Sequence, residues 1–236
     1  MSSPPVPLRA QAYESFQQQI LQANIRPGQF VSQRELMQLL DMPLGAVREL
    51  IPRLEAEGLL RTVPQRGLQI AHVDLALINN AFHLRLVLER EAAMRFAQSA
   101  TDAELAAIEA THLDLLARAE ADSTSQSLLT EAQAVDWGLH DRMIDALGNP
   151  LISEVYRINT LRVRLIRLER AMLSDDALAP ALREHLWFIR ALRAREVAAV
   201  SQRLTHHLES AHQRILGLPR PPLPPDWMAP AAPGGA

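Results

Sequence analysis

At 236 residues and 48% hydrophobic content the chain can bury one large or two modest cores, and its net charge of −3 excludes a protein that coats nucleic acid along its whole length. Prolines interrupt Met1 to Arg9 where a secretory signal needs an apolar stretch, and no apolar run reaches the roughly 18 residues of a membrane helix, so a cytoplasmic protein with no membrane partner is expected. With no cysteine, disulfides, thiolate metal sites and cysteine nucleophiles are excluded, and any transition metal must rest on histidine and carboxylate.

Charge divides unevenly along the chain. Leu8 to His72 holds seven arginines against six acids, whereas the rest holds 17 arginines against 21 acids, so only the N-terminal part is suited to approach phosphate. Residues 1–9 read as a tail without structure. In residues 13–23, Phe16, Ile20 and Leu21 share one helical face, and Arg26-Pro27-Gly28 makes the following turn. Ser32, three residues before Glu35, is a capping-box signature that opens a helix with Leu36, Leu39 and Leu40 facing inward. A third helix, roughly Leu44 to Glu57, carries Val47, Leu50, Ile51 and Leu54 at helical spacing and stops at Gly58, with Pro52 an awkward residue inside it. Two β-prone stretches, Leu59–Val63 and Leu68–Ala71, flank the turn Pro64-Gln65-Arg66-Gly67.

Three helices and a hairpin over 10–72 predict a winged helix-turn-helix. Residues 73–218 show no strand pattern, only amphipathic segments at about 75–99, 102–121, 126–147, 150–173, 177–194 and 196–216. The fold class is mostly α, a winged helix-turn-helix followed by an all-α antiparallel helical bundle. Residues 219–236, with seven prolines and a Gly-Gly-Ala end, read as a disordered tail.

The string PGQFVSQRELMQLLDMPLGAVRELIPRLEAEGLLRTVPQRGLQI resembles the winged helix-turn-helix of the GntR superfamily. The resemblance implies double-stranded operator DNA as a partner. Arg48, in the N-terminal part of the recognition helix, is suited to bidentate contact with guanine. Arg34 matches a DNA-contacting position of the family, and Arg66 and Gly67 match the wing tip laid against the minor groove. Where the family has a Ser-Arg or Thr-Arg pair, this chain has Pro43-Leu44, so one DNA-reading arginine is missing.

In VDWGLHDRMIDALGNP, Asp136 and His140 stand four apart and project from one helical face. His185 follows Glu184, and His207 lies 22 residues further on, the separation of two facing antiparallel helices. This set resembles the FCD domain of FadR-type GntR regulators from about Ala81 to Leu216. The resemblance implies a divalent metal held by Asp136, His140, His185 and His207, with zinc, nickel, manganese and iron all open. His206 is the rival to His207, and a one-residue step turns it about 100° away. His72, His83, His112 and His212 lack partners at ligand spacing and are assigned nothing. Arg85, in FHLRLVLEREAAMRFA, matches a family arginine that reaches an effector carboxylate, and Asn159 and Arg162 share a face that can line the same pocket.

The expected function is therefore a homodimeric transcription regulator, a repressor by expectation, whose operator binding answers to a small carboxylate-containing metabolite bound near the metal. Two other readings stay open: a DNA-binding protein with a purely structural metal, and a helical metalloenzyme. Against the enzyme stand the absence of HExxH, GxSxG and Gly-rich phosphate-loop motifs and a Glu184 that should point away from His185.

Overall fold

The structure, a computed structural model, describes residues 7–121, 125–170 and 175–228. The first helix, α1 (Leu8–Leu21), starts five residues ahead of the expected position, and the residues before Pro7 lie outside the described ones. Its buried residues are Ala12, Tyr13, Phe16 and Ile20, while Leu21 turns out to solvent, contrary to the expected face. The strand β1 (Phe30–Val31) was not legible, because two residues cannot display a period-2 alternation.

The second helix, α2 (Gln33–Leu40), begins on the capping box that the sequence announces. Ser32 N donates to Glu35 Oε2 at 2.7 Å and Glu35 N donates to Ser32 Oγ at 3.1 Å. Asp41 then adopts φ 51°, which turns the chain sharply into α3 (Leu44–Ala56). Pro43 precedes the first turn of α3, where its missing N–H has no intrahelical partner to lose. Pro52 removes the bond to the Arg48 carbonyl, yet α3 runs through it, with Val47, Leu50, Ile51 and Leu54 all buried.

The wing is the hairpin β2 (Leu60–Val63) and β3 (Gly67–Ile70), paired antiparallel from Leu60 opposite Ile70 to Val63 opposite Gly67. β1 joins the other edge of β3, giving the order β1-β3-β2. Gly67 has φ 92°, and a Cβ there would stand 3.0 Å from the Val31 carbonyl oxygen. The glycine is thus needed inside the sheet, whatever it does at a DNA surface.

Among the described residues every later element is helical: α4 (Leu75–Ser99), α5 (Asp102–Ala121), α6 (Gln126–Asp145), α7 (Pro150–Arg170), α8 (Asp175–Arg193) and α9 (Val197–Leu216). None of these helices is long and apolar enough to cross a membrane. The fold is a winged helix-turn-helix and an all-α bundle.

Two compact units emerge, 1–81 with 158–170, and 82–157 with 171–236. The linear division at 72 and 73 does not anticipate this, because Leu161 and Leu165 of α7 are buried in the winged-helix core. The second unit has an inner cluster around Phe96, Met143, Tyr156 and Phe188 and another around Leu115, Leu128, Leu182 and Leu186. In the expected C-terminal tail, 219–228 form no helix or strand, but Trp227 packs against the latter cluster and Arg190 donates to the Met228 carbonyl at 2.5 Å. The remaining tail residues lie outside the described ones.

Candidate metal centre

Three helices of the second unit bring polar side chains together at one point. Asp136 and His140 lie one turn apart on α6, His185 comes from α8 and His207 from α9, and one ligand atom of each lies within 4.8 Å of all the others. His185 Nε2 stands 3.1 Å from His207 Nε2 and 3.2 Å from Asp136 Oδ1, and His140 Nε2 is 4.0 Å from Asp136 Oδ1. The imidazoles are almost fully buried, whereas Asp136 is 22% exposed, so the cluster opens to solvent on the Asp136 side.

Each imidazole is also gripped from behind. His140 Nδ1 lies 2.7 Å from Glu89 Oε2, at an angle short of a well-aligned hydrogen bond. Glu89 in turn accepts from Arg85 Nε at 2.6 Å and from the Tyr156 hydroxyl at 2.9 Å. His207 Nδ1 is 3.1 Å from Glu184 Oε2, and Glu184 also accepts from Ser210 Oγ at 2.5 Å and Arg214 Nη1 at 3.0 Å. His185 Nδ1 is 3.1 Å from His112 Nε2, and His112 Nδ1 is 2.8 Å from the Ile108 carbonyl.

Burial sets the charge state. It pushes His207 down to about 3, with His185 adding repulsion, and His112 down to about 4, again with His185 contributing; His185 is also lowered, mainly by burial. These imidazoles are neutral near pH 7 and offer lone pairs. Burial alone would raise Glu89 and Glu184. For Glu89 the charges of Arg85 and His140 prevail and hold it far below the usual carboxylate range; for Glu184 the His207 hydrogen bond and charge, with Arg214, bring it to about 2.

A cation fits this donor set. His140 Nε2 is fully buried without a hydrogen-bond partner, and two neutral imidazole nitrogens face each other at 3.1 Å. A divalent ion would relieve both conditions, and three nitrogens with one carboxylate suit first-row metals.

The same shifts fix a pH response. In the unfolded chain these histidines take up protons as pH falls below about 6.5, while folded His207, His112 and His185 resist, so stability falls from about pH 6.5 toward 4. The lowered Glu184 acts in the same direction at still lower pH. The metal-free protein should lose a few kcal/mol between pH 7.5 and 5 in urea titrations; equal midpoints at both values would contradict neutral burial.

The other expected positions fare differently. Arg34, Arg48 and Arg66 are exposed on the winged helix; Arg48 Nε approaches Gln33 Oε1 at 3.4 Å, and the Arg66 guanidinium lies 4.1 Å from the Phe30 ring centroid. Arg85 is buried beside the cluster, already bound to Glu89. Asn159 donates to the Ala81 carbonyl at 2.9 Å and Arg162 to the Glu57 carbonyl at 2.6 Å, both within the first unit. Glu184 does not point idly away but seats His207, and His112 is 1% exposed inside the network; neither role was foreseen. The Arg85 and Glu89 spacing of four was the one local signal available.

Residues 8–70 match the family described as bacterial regulatory proteins, gntR family, and residues 80–210 match the FCD domain. The chain belongs to the GntR family, in its FCD class. It is 25% identical over 216 residues to the HTH-type transcriptional repressor RspR of Escherichia coli K12, covering 90% of this chain and 91% of RspR. It is 24% identical to the HTH-type transcriptional repressor GlaR of the same organism, covering 83% and 90%. Among solved structures, E. coli McbR/YncC superposes with a TM-score of 0.72 at 19% identity, covering 90% of this chain and 99% of that one. A putative GntR regulator from Rhodococcus sp. RHA1 gives 0.68 at 23%, again covering 90% and 99%. These structures share the fold. This GntR-family chain is a transcription regulator and no enzyme.

Proposed function

We propose that the chain binds operator DNA through its winged helix and releases or rearranges on it when a small organic acid joins a metal ion in the bundle. The observation that carries this reading is the buried Asp136, His140, His185 and His207 cluster, open on one side, in a chain of the GntR family. The four residues would hold the ion, which when bound would supply Lewis acidity toward an oxygen ligand. Around it Arg85 pairs with Glu89 and Arg214 with Glu184. A divalent ion there would present positive charge to the carboxylate of an organic acid. Arg85, engaged through Nε and Nη2, adds positive potential beside it.

On the DNA side, Arg48 reads base edges, Arg34 and Arg66 engage the backbone and wing contacts, and the protein acts as a homodimer on paired half-sites. The relatives RspR and GlaR are named repressors, which supports repression here. Leu44, 36% exposed at the start of α3, brings no cation to its position.

Arg48→Ala should weaken specific operator binding by about 5- to 150-fold, the worth of one bidentate base contact, while leaving the circular dichroism melting curve in place. Fluorescence anisotropy with operator and scrambled duplexes measures this, and an unchanged ratio of the two affinities would remove Arg48 from base reading. Titrating the metal-loaded protein on operator with small organic acids tests the sensor; if none shifts operator affinity, the metal is structural.

A further inference from the structure

Each imidazole of the cluster presents Nε2 to the candidate metal position, so each must keep its proton on Nδ1. For His185 the means is a neutral relay. The Ile108 carbonyl only accepts, so His112 Nδ1, 2.8 Å away, carries a hydrogen. Neutral His112 then has a bare Nε2, 3.1 Å from His185 Nδ1, which must donate to it. His185 Nε2 is thereby left with its lone pair toward Asp136 and His207.

We propose that His112 is a positioning residue for the metal centre, fixing the tautomer of His185 through the chain that runs from the Ile108 carbonyl. It rests on the reading that the cluster holds a metal ion. Glu89 and Glu184 fix His140 and His207 in the same sense: at 2.7 and 3.1 Å from a carboxylate oxygen a bare Nδ1 would be repelled, so both nitrogens carry hydrogen.

The consequence of losing the relay is specific. Without an acceptor at Nδ1, His185 satisfies itself by moving its proton to Nε2, where Asp136 Oδ1 lies 3.2 Å away. That hydrogen bond occupies two of the four ligands at once and competes with the cation. The other two imidazoles keep their carboxylate partners.

The test uses cobalt(II) as probe on the full-length protein, with wild type, His112→Phe and His112→Gln. His112→Phe should bind cobalt about 10- to 100-fold more weakly and alter its visible d–d bands, and His112→Gln, whose side-chain carbonyl can accept from His185 Nδ1, should recover most of the loss. Long-range ¹H–¹⁵N spectra of the zinc-loaded wild type should place hydrogen on Nδ1 of His112 and of all three ligand histidines, a readout that does not depend on the phenylalanine variant folding. Wild-type cobalt affinity and bands in His112→Phe, or a hydrogen on His185 Nε2 in the loaded protein, would overturn the role of His112 alone. Failure of the wild type to bind cobalt would overturn the metal reading and this inference with it.

Discussion

Glu89→Ala should lower the stability of the metal-free bundle by about 3–5 kcal/mol, the cost of leaving one member of a buried ion pair without its partner. Glu89 is fully buried and Arg85 nearly so, and the two meet at 2.6 Å. Burial acts to lower the Arg85 guanidinium, and the Glu89 charge reverses that, raising it above its ordinary value. The substitution strands this cation, removes the acceptor of the Tyr156 hydroxyl and frees His140 Nδ1. All three tryptophans, at 137, 187 and 227, lie in the second unit, so urea unfolding followed by their fluorescence reports on the bundle. Glu89→Gln, which keeps an acceptor but not the charge, should fall between wild type and alanine. An unchanged midpoint for Glu89→Ala would mean that Arg85 finds another partner.

Replacing Asp136 and His207 together by alanine should remove the metal altogether, since it deletes one of three nitrogens and the sole carboxylate. At a free metal concentration a thousand times the dissociation constant, binding stabilises the wild type by about 4 kcal/mol. For a bundle of this size that corresponds to on the order of 10 °C in melting temperature. The double variant should show no metal-dependent shift and no bound metal in elemental analysis after gel filtration. Stoichiometric metal in the variant would move the binding site elsewhere.

The candidate cluster was legible partly from local pattern and partly from the family resemblance. Asp136 and His140 share a helical face by spacing, and the family resemblance supplied His185 and His207. The winged helix was legible from local pattern too: the capping box at Ser32 and Glu35, the apolar face of α3 and the turn at Gly67 are local features. The Pro-rich stretch misled in part, since Trp227 finds an apolar cluster that composition does not disclose.

What the sequence determined by itself, then, is the order of elements, the two-part architecture and the four residues that face one another as candidate ligands. Tertiary structure alone decided what stands behind them. His112 and His185 are 73 residues apart, Glu184 and His207 are 23 apart, and Arg162 donates to the Glu57 carbonyl, 105 residues away in sequence. The physical reason is that a buried polar atom must find a partner, and it takes the one that packing brings within 3 Å or so, not the one that sequence brings near. A helical repeat tells which way a side chain leaves its own helix and is silent on which helix it meets.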